Sequence, residues 1–382
     1  MLNIFDKYFI GDGIELNWDY VNSIPEFQKL KECQQTPIWH SEGNAYIHVA
    51  NCVNEAYKIV AEKFEHYTVA HKRRFIMAVL FHDIGKIATT EFKNGDWHSY
   101  GHEIEGEKIA RRILWDEDLF SREMVCSLVR WHMERCGIMK CKDVFKKVIQ
   151  MSYNVDISML LNVWRCDVYG SKPKDKSSII EDENIIRLVD NIARCNNCYD
   201  QAYTLGFINR EDTKYWIFNG GKPWETKFEK PQLIVLIGIA GAGKDTFVNE
   251  RYRGQENTEI LCRDDIRVEL GLCKDGEKIV GTNKQEEVVS MLFNKRLEEA
   301  AKNGKTIVIN NTNLKKKYRD AYKQMVEKYG YQYIYVYIEA PTFNDLVKRR
   351  NGQIKASILE DMINRFEYPK ADEYDILLTY KQ

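Results

Sequence analysis

The densest chemistry in this sequence is HDIGK, His82 to Lys86. An adjacent imidazole and carboxylate on one helix can turn a nitrogen and an oxygen onto a single divalent metal. A His-Asp pair alone says little, so its company matters. All eight histidines fall at or before residue 132, which concentrates this chemistry in the first part of the chain. Upstream, WHSEGNAYIHV carries His40 and His48; downstream, YGHEIEG and RWH carry His102 and His132, and WRCDVYGS carries Asp167. Lys86, one turn after His82, is placed to neutralise a phosphate; its bland reading is a solvated helix face. His66 and His71 lie in the charged stretch HYTVAHKRR and are expected to be exposed.

A second set begins at Gly238-Ile-Ala-Gly-Ala-Gly243-Lys244-Asp245-Thr246. It follows an apolar strand-like run and opens a helical one. In that setting a glycine-rich loop wraps nucleotide phosphates with its N–H groups, and Lys244 reaches the β and γ phosphates. The candidate contacts are Gly238, Gly241, Ala242, Gly243, Lys244, Asp245 and Thr246. Asp245 stands where a Ser or Thr hydroxyl usually ligates Mg²⁺, leaving Thr246 to contact phosphate. Such a loop does not by itself separate GTPase, ATPase and kinase. No convincing NKxD is present, and Asn283-Lys284-Gln285-Glu286 sits inside a helical run, which argues against a GTPase. CRDDIR at 262–267, INNTN at 309–313 and KRRN at 348–351 are the discriminating stretches. Phosphoryl transfer needs an aligned hydroxyl, a base within hydrogen-bond reach and cations on the γ-phosphate. Asp264 and Asp265 also suit a helix N-cap pair, and KKKYR at 315–319 reads as a solvated helix start.

Elements must hold these residues in place. At 382 residues the chain favours two domains. From about 44 to 200 the apolar residues recur at helical spacing, as in YIHVANCVNEAYKIV and RRFIMAVLFHDIGKI. Glycines, prolines and charges at 204–231 read as a connector. Beyond it, QLIVLI, EILC, KTIVINNT and YIYVYIEAP alternate with helical runs such as QEEVVSMLFNKRLEEAAK, the pattern of a parallel sheet flanked by helices. The expected organisation is an all-helical domain with connector helices at 1–203, a linker at 204–230 and an α/β domain at 231–382.

Composition adds bounds. Hydrophobic content of 44% with 30% charged residues is ordinary for a globular chain. Lys+Arg 56 against Asp+Glu 57 leaves no global field, so any grip on a phosphate backbone must be local. Ten irregularly spaced cysteines read as reduced thiols, including the lone pair Cys195 and Cys198. Asp6 and Lys7 spoil a signal peptide, and LIVLIGIAGAG is too short to span a bilayer; the expectation is a soluble, cytoplasmic protein.

The order H, HD, H, H, D over roughly residues 37–170 resembles the HD-domain metal-dependent phosphohydrolases, in particular the HD domains of tRNA nucleotidyltransferases and of bifunctional end-healing enzymes. The resemblance implies His48, His82, Asp83 and Asp167 as core metal ligands, His102 and His132 as ligands of a second ion, and His40 as phosphate contact or acid. One or two divalent transition metals such as Mn²⁺, Co²⁺ or Ni²⁺ are implied. Bound to metal, water ionises near neutral pH, which suits phosphoester hydrolysis.

Residues 232–380 resemble the phage-type 5'-OH polynucleotide kinases, which implies ATP with Mg²⁺. On that resemblance Asp264 is the general base, Arg267 holds the acceptor phosphate, and Arg350, with Arg349, matches the lid arginine over the γ-phosphate. The family's D-T-N becomes Asn311-Thr312-Asn313, with Asn311 and Asn313 at the acceptor. The lid is shortened and its second arginine has no match; Lys355 is a candidate to stand in for it. Together the halves resemble the HD-kinase end-healing enzymes of RNA repair. Such an enzyme clears 2',3'-cyclic, 2' or 3' phosphates from RNA or DNA ends and phosphorylates the 5'-OH, leaving a ligase to seal. Two other readings stay open: a nucleotide phosphohydrolase fused to a small-molecule kinase, and a non-catalytic nucleotide-gated binding module.

Overall fold

The computed structural model describes residues 4–204, 210–218, 230–273, 282–350 and 353–381. The chain divides into two compact units, Met1–Gly220 and Gly221–Gln382. Much of the expected linker, 205–209 and 219–229, lies outside the described residues. No helix among the described residues is long and apolar enough to cross a membrane.

The first unit is built on the helices Ala45–Lys63, Val69–Phe81, His102–Ile113, Leu119–Trp131, Ile157–Gly170 and Ser177–Cys195. Four of them start where a polar side chain satisfies an otherwise orphaned N–H: Asn44, Thr68, Asp118 and Asp156 each accept from the backbone three residues on. The helix Ile157–Gly170 is buried along nearly its whole length and packs against Ala45–Lys63. One departure from an all-helical reading is a small antiparallel hairpin, β1 (Glu91–Lys93) with β2 (Asp96–His98). The N-terminal segment also joins this core, with Phe5, Tyr8, Phe9, Leu16 and Phe27 buried. Arg73, itself buried, donates to the carbonyls of Ile4, Gly11 and Gly13 and ties that segment down. His66 is exposed as expected, whereas His71 is half-buried against Phe64 and Tyr67.

The second unit carries a five-stranded parallel sheet ordered β4-β5-β3-β6-β7: β3 (Gln232–Ile237), β4 (Thr258–Leu261), β5 (Thr306–Ile309), β6 (Gln332–Ile338) and β7 (Ile376–Tyr380). The first four fall on the apolar runs; β7 was not anticipated. β3 lies mid-sheet, buried from Leu233 to Ile237. Loops that leave the carboxyl ends of β3, β4 and β5 converge there, the usual position of a ligand cleft in an open parallel sheet.

The stretch 315–319 is not simply a solvated helix start. Arg319 is fully buried, with Nε donating to Glu373 Oε2 at 2.8 Å and Nη1 to the Asn313 and Glu367 carbonyls at 3.0 and 3.1 Å. Its guanidinium fastens the Asn311–Asn313 loop to the C-terminal segment.

Candidate functional sites

In the first unit, helix ends and loops bring together side chains that lie far apart in sequence. His48 projects from the helix Ala45–Lys63 and Asp167 from Ile157–Gly170; His82 and His132 cap Val69–Phe81 and Leu119–Trp131 at their C-termini, and His102 opens His102–Ile113. Gly85 makes the junction possible. A Cβ there would sit 1.9 Å from the His102 carbonyl oxygen and 2.5 Å from Gly106 N, so only glycine lets the HDIGK turn lie against the helix bearing His102.

The six expected ligands form two groups bridged by Asp83. His48 Nε2 lies 3.1 Å from Asp167 Oδ1 and 3.3 Å from His82 Nε2, while Asp83 Oδ2 is 3.5 Å from His48 and 3.4 Å from His82. Asp83 Oδ1 faces the other way, 3.2 Å from His102 Nε2 and 3.8 Å from His132 Nε2, and those two nitrogens are 3.0 Å apart. All six side chains are buried.

The tautomers are set from behind. Nδ1 of His82, His102 and His132 donates to the carbonyls of Val79, Ser99 and Val129 at 2.7, 2.7 and 2.6 Å. A carbonyl only accepts, so in the neutral rings each Nε2 lone pair points inward. Burial holds His82 below its ordinary value and His132 well below it, which favours the neutral form. Lone pairs and carboxylate oxygens turned onto one another repel, and a cation among them removes the repulsion. This donor set of imidazole nitrogen and carboxylate oxygen fits a divalent transition metal.

Other charges brace the cluster. Lys86 is buried, forms an ion pair with Asp83 Oδ2 and donates to Gln35 Oε1, both at 2.6 Å, so it neutralises a candidate ligand rather than coating a solvated face. Arg135 Nη2 donates to Asp167 Oδ2 at 2.8 Å and pairs with Asp182. Burial would raise both carboxyls, yet they stay well below the usual range: Lys86 and His82 outweigh it at Asp83, and His48 and Arg135 at Asp167. Glu42 Oε1 accepts from His48 Nδ1 at 3.0 Å and from His40 Nδ1 at 2.8 Å, so His40 stands next to the cluster with its tautomer fixed. Cys52 Sγ lies 3.4 Å from His48 Nε2, and burial pushes its thiol up to about 11, so it is present as S–H. Sequence reasoning missed Gln35, Glu42, Cys52, Arg135 and Asp182. Cys52, four residues after His48 on the same helix, had a readable spacing.

In the second unit a cavity of about 440 Å³ is lined by Gly241, Gly243, Lys244, Asp245 and Thr246 on one side. Arg263, Asp264, Arg267, Asn310, Asn311, Thr312, Arg349 and Arg350 line the rest. Gly241 and Gly243 sit at φ +93° and +106°, a region open to glycine. Lys244 Nζ donates to the Gly238 and Ile239 carbonyls at 2.9 and 3.0 Å. Gly238 and Ala242 do not line the cavity; Ala242 is buried and Gly238 N donates to Thr312 O at 3.1 Å, which stitches the glycine loop to the loop after β5.

Asp264 Oδ1 accepts from Arg267 Nη1 at 2.5 Å, and Arg267 is gripped on its other edge by Glu286, Nε to Oε1 and Nη2 to Oε2, both 2.8 Å. Glu286 belongs to the very NKQE stretch that reads as a coincidence; it starts the helix Asn283–Lys302. Arg263 Nη2 also reaches Glu286 Oε2 at 3.2 Å, and Arg263 N donates to Asn311 Oδ1 at 3.0 Å. Asp265 is not a second copy of Asp264: burial and the nearby Asp245 push its carboxyl up. Asp245 Oδ1 accepts from Asn310 Nδ2 at 2.8 Å.

Two expectations need correction. Asn313 is buried, adopts φ +49° and donates to Leu236 O at 2.7 Å, so it fastens two loops and does not line the cavity. Lys355 is exposed at the start of the helix Ala356–Asn364 and does not line the cavity either. Of the KRRN stretch, Asn351 lies outside the described residues, while Arg349 Nη1 donates to Gly241 O at 3.5 Å and Arg350 Nε is buried with no hydrogen-bond partner among the described residues.

Comparison with known proteins places a different family model on each unit. Residues 46–195 match the family model described as HD domain, and residues 233–369 match the one described as AAA domain. A provisionally named bifunctional polynucleotide kinase/RNA ligase of Autographa californica nuclear polyhedrosis virus is 35% identical over 112 residues, 27% of this chain and 15% of that protein. A chain from the Pnkp1/Rnl/Hen1 RNA repair complex shares 21% identity over 38% of this chain and 46% of its own length, at a TM-score of 0.32. A gluconokinase from Sinorhizobium meliloti 1021 shares 18% over 40% of this chain and 83% of its own length, at 0.30. The chain thus spans less than half of the first two of these proteins. It carries an HD domain followed by an AAA-type P-loop domain on a parallel sheet.

Proposed function

We propose that the chain heals nucleic-acid ends. Its kinase unit transfers the γ-phosphate of ATP to a 5'-OH end, and its HD unit hydrolyses 2',3'-cyclic, 2' or 3' phosphates. The observation that carries the reading is that one cavity holds the glycine loop with Lys244 on one wall and the Asp264–Arg267 pair on another. A phosphate-binding loop facing a carboxylate and a separate arginine suits transfer to a hydroxyl on a molecule that carries a phosphate of its own.

In this reading Lys244 exchanges the Gly238 and Ile239 carbonyls for the β and γ phosphates. Arg267 exchanges Asp264 for the acceptor's phosphate while Glu286 keeps its plane fixed. Asp264, released, takes the proton from the 5'-OH. Arg350 brings positive charge to the transferring group, and Asn311 keeps the start of the helix Arg263–Glu269 at the cavity wall. Mg²⁺ accompanying ATP would neutralise phosphate charge there, with Asp245 and Thr246 as the oxygen donors.

In the HD unit, one or two ions such as Mn²⁺, Co²⁺ or Ni²⁺ would be held by His48, His82, Asp83, His102, His132 and Asp167 and would supply hydroxide near neutral pH. Lys86 and Arg135 keep the two carboxylates ionised and aimed. His40, oriented by Glu42, is placed to contact phosphate or protonate the leaving ribose oxygen. The product, a 5'-phosphate with a 3'-OH, is what a nucleic-acid ligase consumes.

The test incubates purified protein with ATP, Mg²⁺ and Mn²⁺ and oligonucleotides ending in 5'-OH or 2',3'-cyclic phosphate. The reading expects label on the 5' end and release of phosphate from the 3' end. ATP consumption without label on any acceptor would contradict the kinase half, and an untouched cyclic phosphate would contradict the HD half.

A further inference from the structure

Three loops of the first unit meet beside the metal centre. Thr36 Oγ1 donates to Asp96 Oδ2 at 2.7 Å, which joins the segment carrying Trp39 and His40 to the β1–β2 hairpin. Lys174 N donates to Ile38 O at 3.0 Å and Lys172 N to Glu42 Oε2 at 2.9 Å, which joins the same segment to the loop after Asp167. The rim is one bond from the centre at two points: Glu42 holds His40 and His48, and the Ser99 carbonyl holds His102.

This rim exposes aromatic rings that the core does not use. Trp39 is 53% exposed, Phe92 61% and Tyr100 77%. His98 stacks parallel on Tyr100 at 5.2 Å and 11°; Phe92 and Trp97, edge-on at 5.1 Å, are a cross-strand pair on the hairpin's other face from His98 and Asp96. Flat rings held by neighbouring rings keep a face in solvent without collapsing. Around them stand Lys93, Lys172, Lys174 and Lys176, all exposed and none in an ion pair among the described residues. The carboxylates of Asp96 and Asp175 are held in place by hydrogen bonds from Thr36 and Trp97, and from Ser177, and with the exposed Glu91 they are outnumbered by the four lysines.

We infer that this rim is a binding surface for a single-stranded polynucleotide, with bases stacked on the exposed rings and phosphates on the lysines. It delivers a strand end, rather than a free nucleotide, to the metal centre. Rings alone would suit many partners; four unpaired ammonium groups among them select a polyanion with planar faces. The inference rests on the phosphohydrolase reading and adds the surface that holds the strand behind its end.

The test uses the full chain loaded with Mn²⁺, with Trp39→Ala, Tyr100→Ala and the pair Lys172→Glu/Lys174→Glu, on three substrates: bis(p-nitrophenyl) phosphate, a nucleoside 2',3'-cyclic phosphate and an oligonucleotide with the same cyclic end and a 5'-phosphate. The expected result is a KM for the oligonucleotide raised roughly 10-fold for each lost stacking ring, with kcat and the two small substrates unchanged. Anisotropy of the labelled oligonucleotide, which needs no turnover, should show the same weakening, and its salt dependence should become shallower in the lysine variant. Equal losses on all three substrates, or oligonucleotide binding unchanged by every variant, overturns the inference. A parent protein that hydrolyses the small substrates but gains nothing from a strand overturns it while leaving the phosphohydrolase reading intact. Failure on all three substrates with metal bound strikes that reading instead.

Discussion

The metal centre and the kinase cavity solve opposite problems. At the centre the six candidate ligands are buried, and three imidazoles are fixed from behind by backbone carbonyls. In the cavity the charged groups hold one another: Lys244 on the carbonyls of its own loop, Arg267 on Asp264. A small divalent ion demands a preset cage of donor atoms, whereas substrates that come and go need charges with exchangeable partners. Damage should therefore propagate into folding at the first site and stay in the chemistry at the second.

The largest effect is expected from Asp83→Ala, since Asp83 alone faces both groups of ligands. It should remove bound metal and reduce phosphoesterase activity to background. With Lys86 left buried beside Gln35, the first unit should lose about 3 to 5 kcal/mol. Metal analysis and thermal unfolding check this, and a stable variant that retains metal would break the contrast. Next comes Asp264→Asn, which keeps shape but not basicity and should lower kinase kcat by roughly 10² to 10⁴ with little change in melting temperature. If Asp265→Asn is the damaging change instead, the base is Asp265. Lys244→Ala should cost roughly 10² to 10³ in kinase rate, again without unfolding, because it is half-exposed at the cavity and hydrogen-bonds carbonyls of its own loop. Retention of half the rate contradicts the assignment. Glu42→Gln sharpens the comparison from behind the ligands. It should cost about 10- to 100-fold in metal affinity or phosphoesterase activity and leave the kinase untouched; equal loss in both activities would mark general damage.

Much of this was legible because both sites announce themselves in local spacing. The His-Asp pair at 82–83 and the glycine loop at 238–244 are contiguous, and the strands that carry the second loop are apolar runs. What stayed hidden were partners chosen by tertiary packing. Glu286 grips Arg267 from 19 residues away, inside a tetrapeptide that looked incidental. Arg319 sits in a run of cations whose helix turns that one guanidinium inward onto Glu373. Asn313 reads as an acceptor contact from its match to the family's D-T-N, and its neighbours Asn311 and Thr312 do line the cavity, yet at φ +49° its own side chain turns into the fold onto Leu236 O. β7, ILLTY, is an edge strand with no fully buried residue, and its exposure, half-buried at Ile376, Leu377 and Tyr380 and open at Leu378 and Thr379, follows no two-residue period.

The central claim, two independent activities on the two ends of a strand, is tested most directly by mapping products of Asp83→Ala and Lys244→Ala on one oligonucleotide bearing a 5'-OH and a 2',3'-cyclic phosphate. The account predicts that mass spectrometry finds a 5'-phosphate with the cyclic end intact from the first variant, and a 5'-OH with a 3'-OH from the second. Loss of both modifications in either variant, or no change at either end with the parent protein, would contradict it.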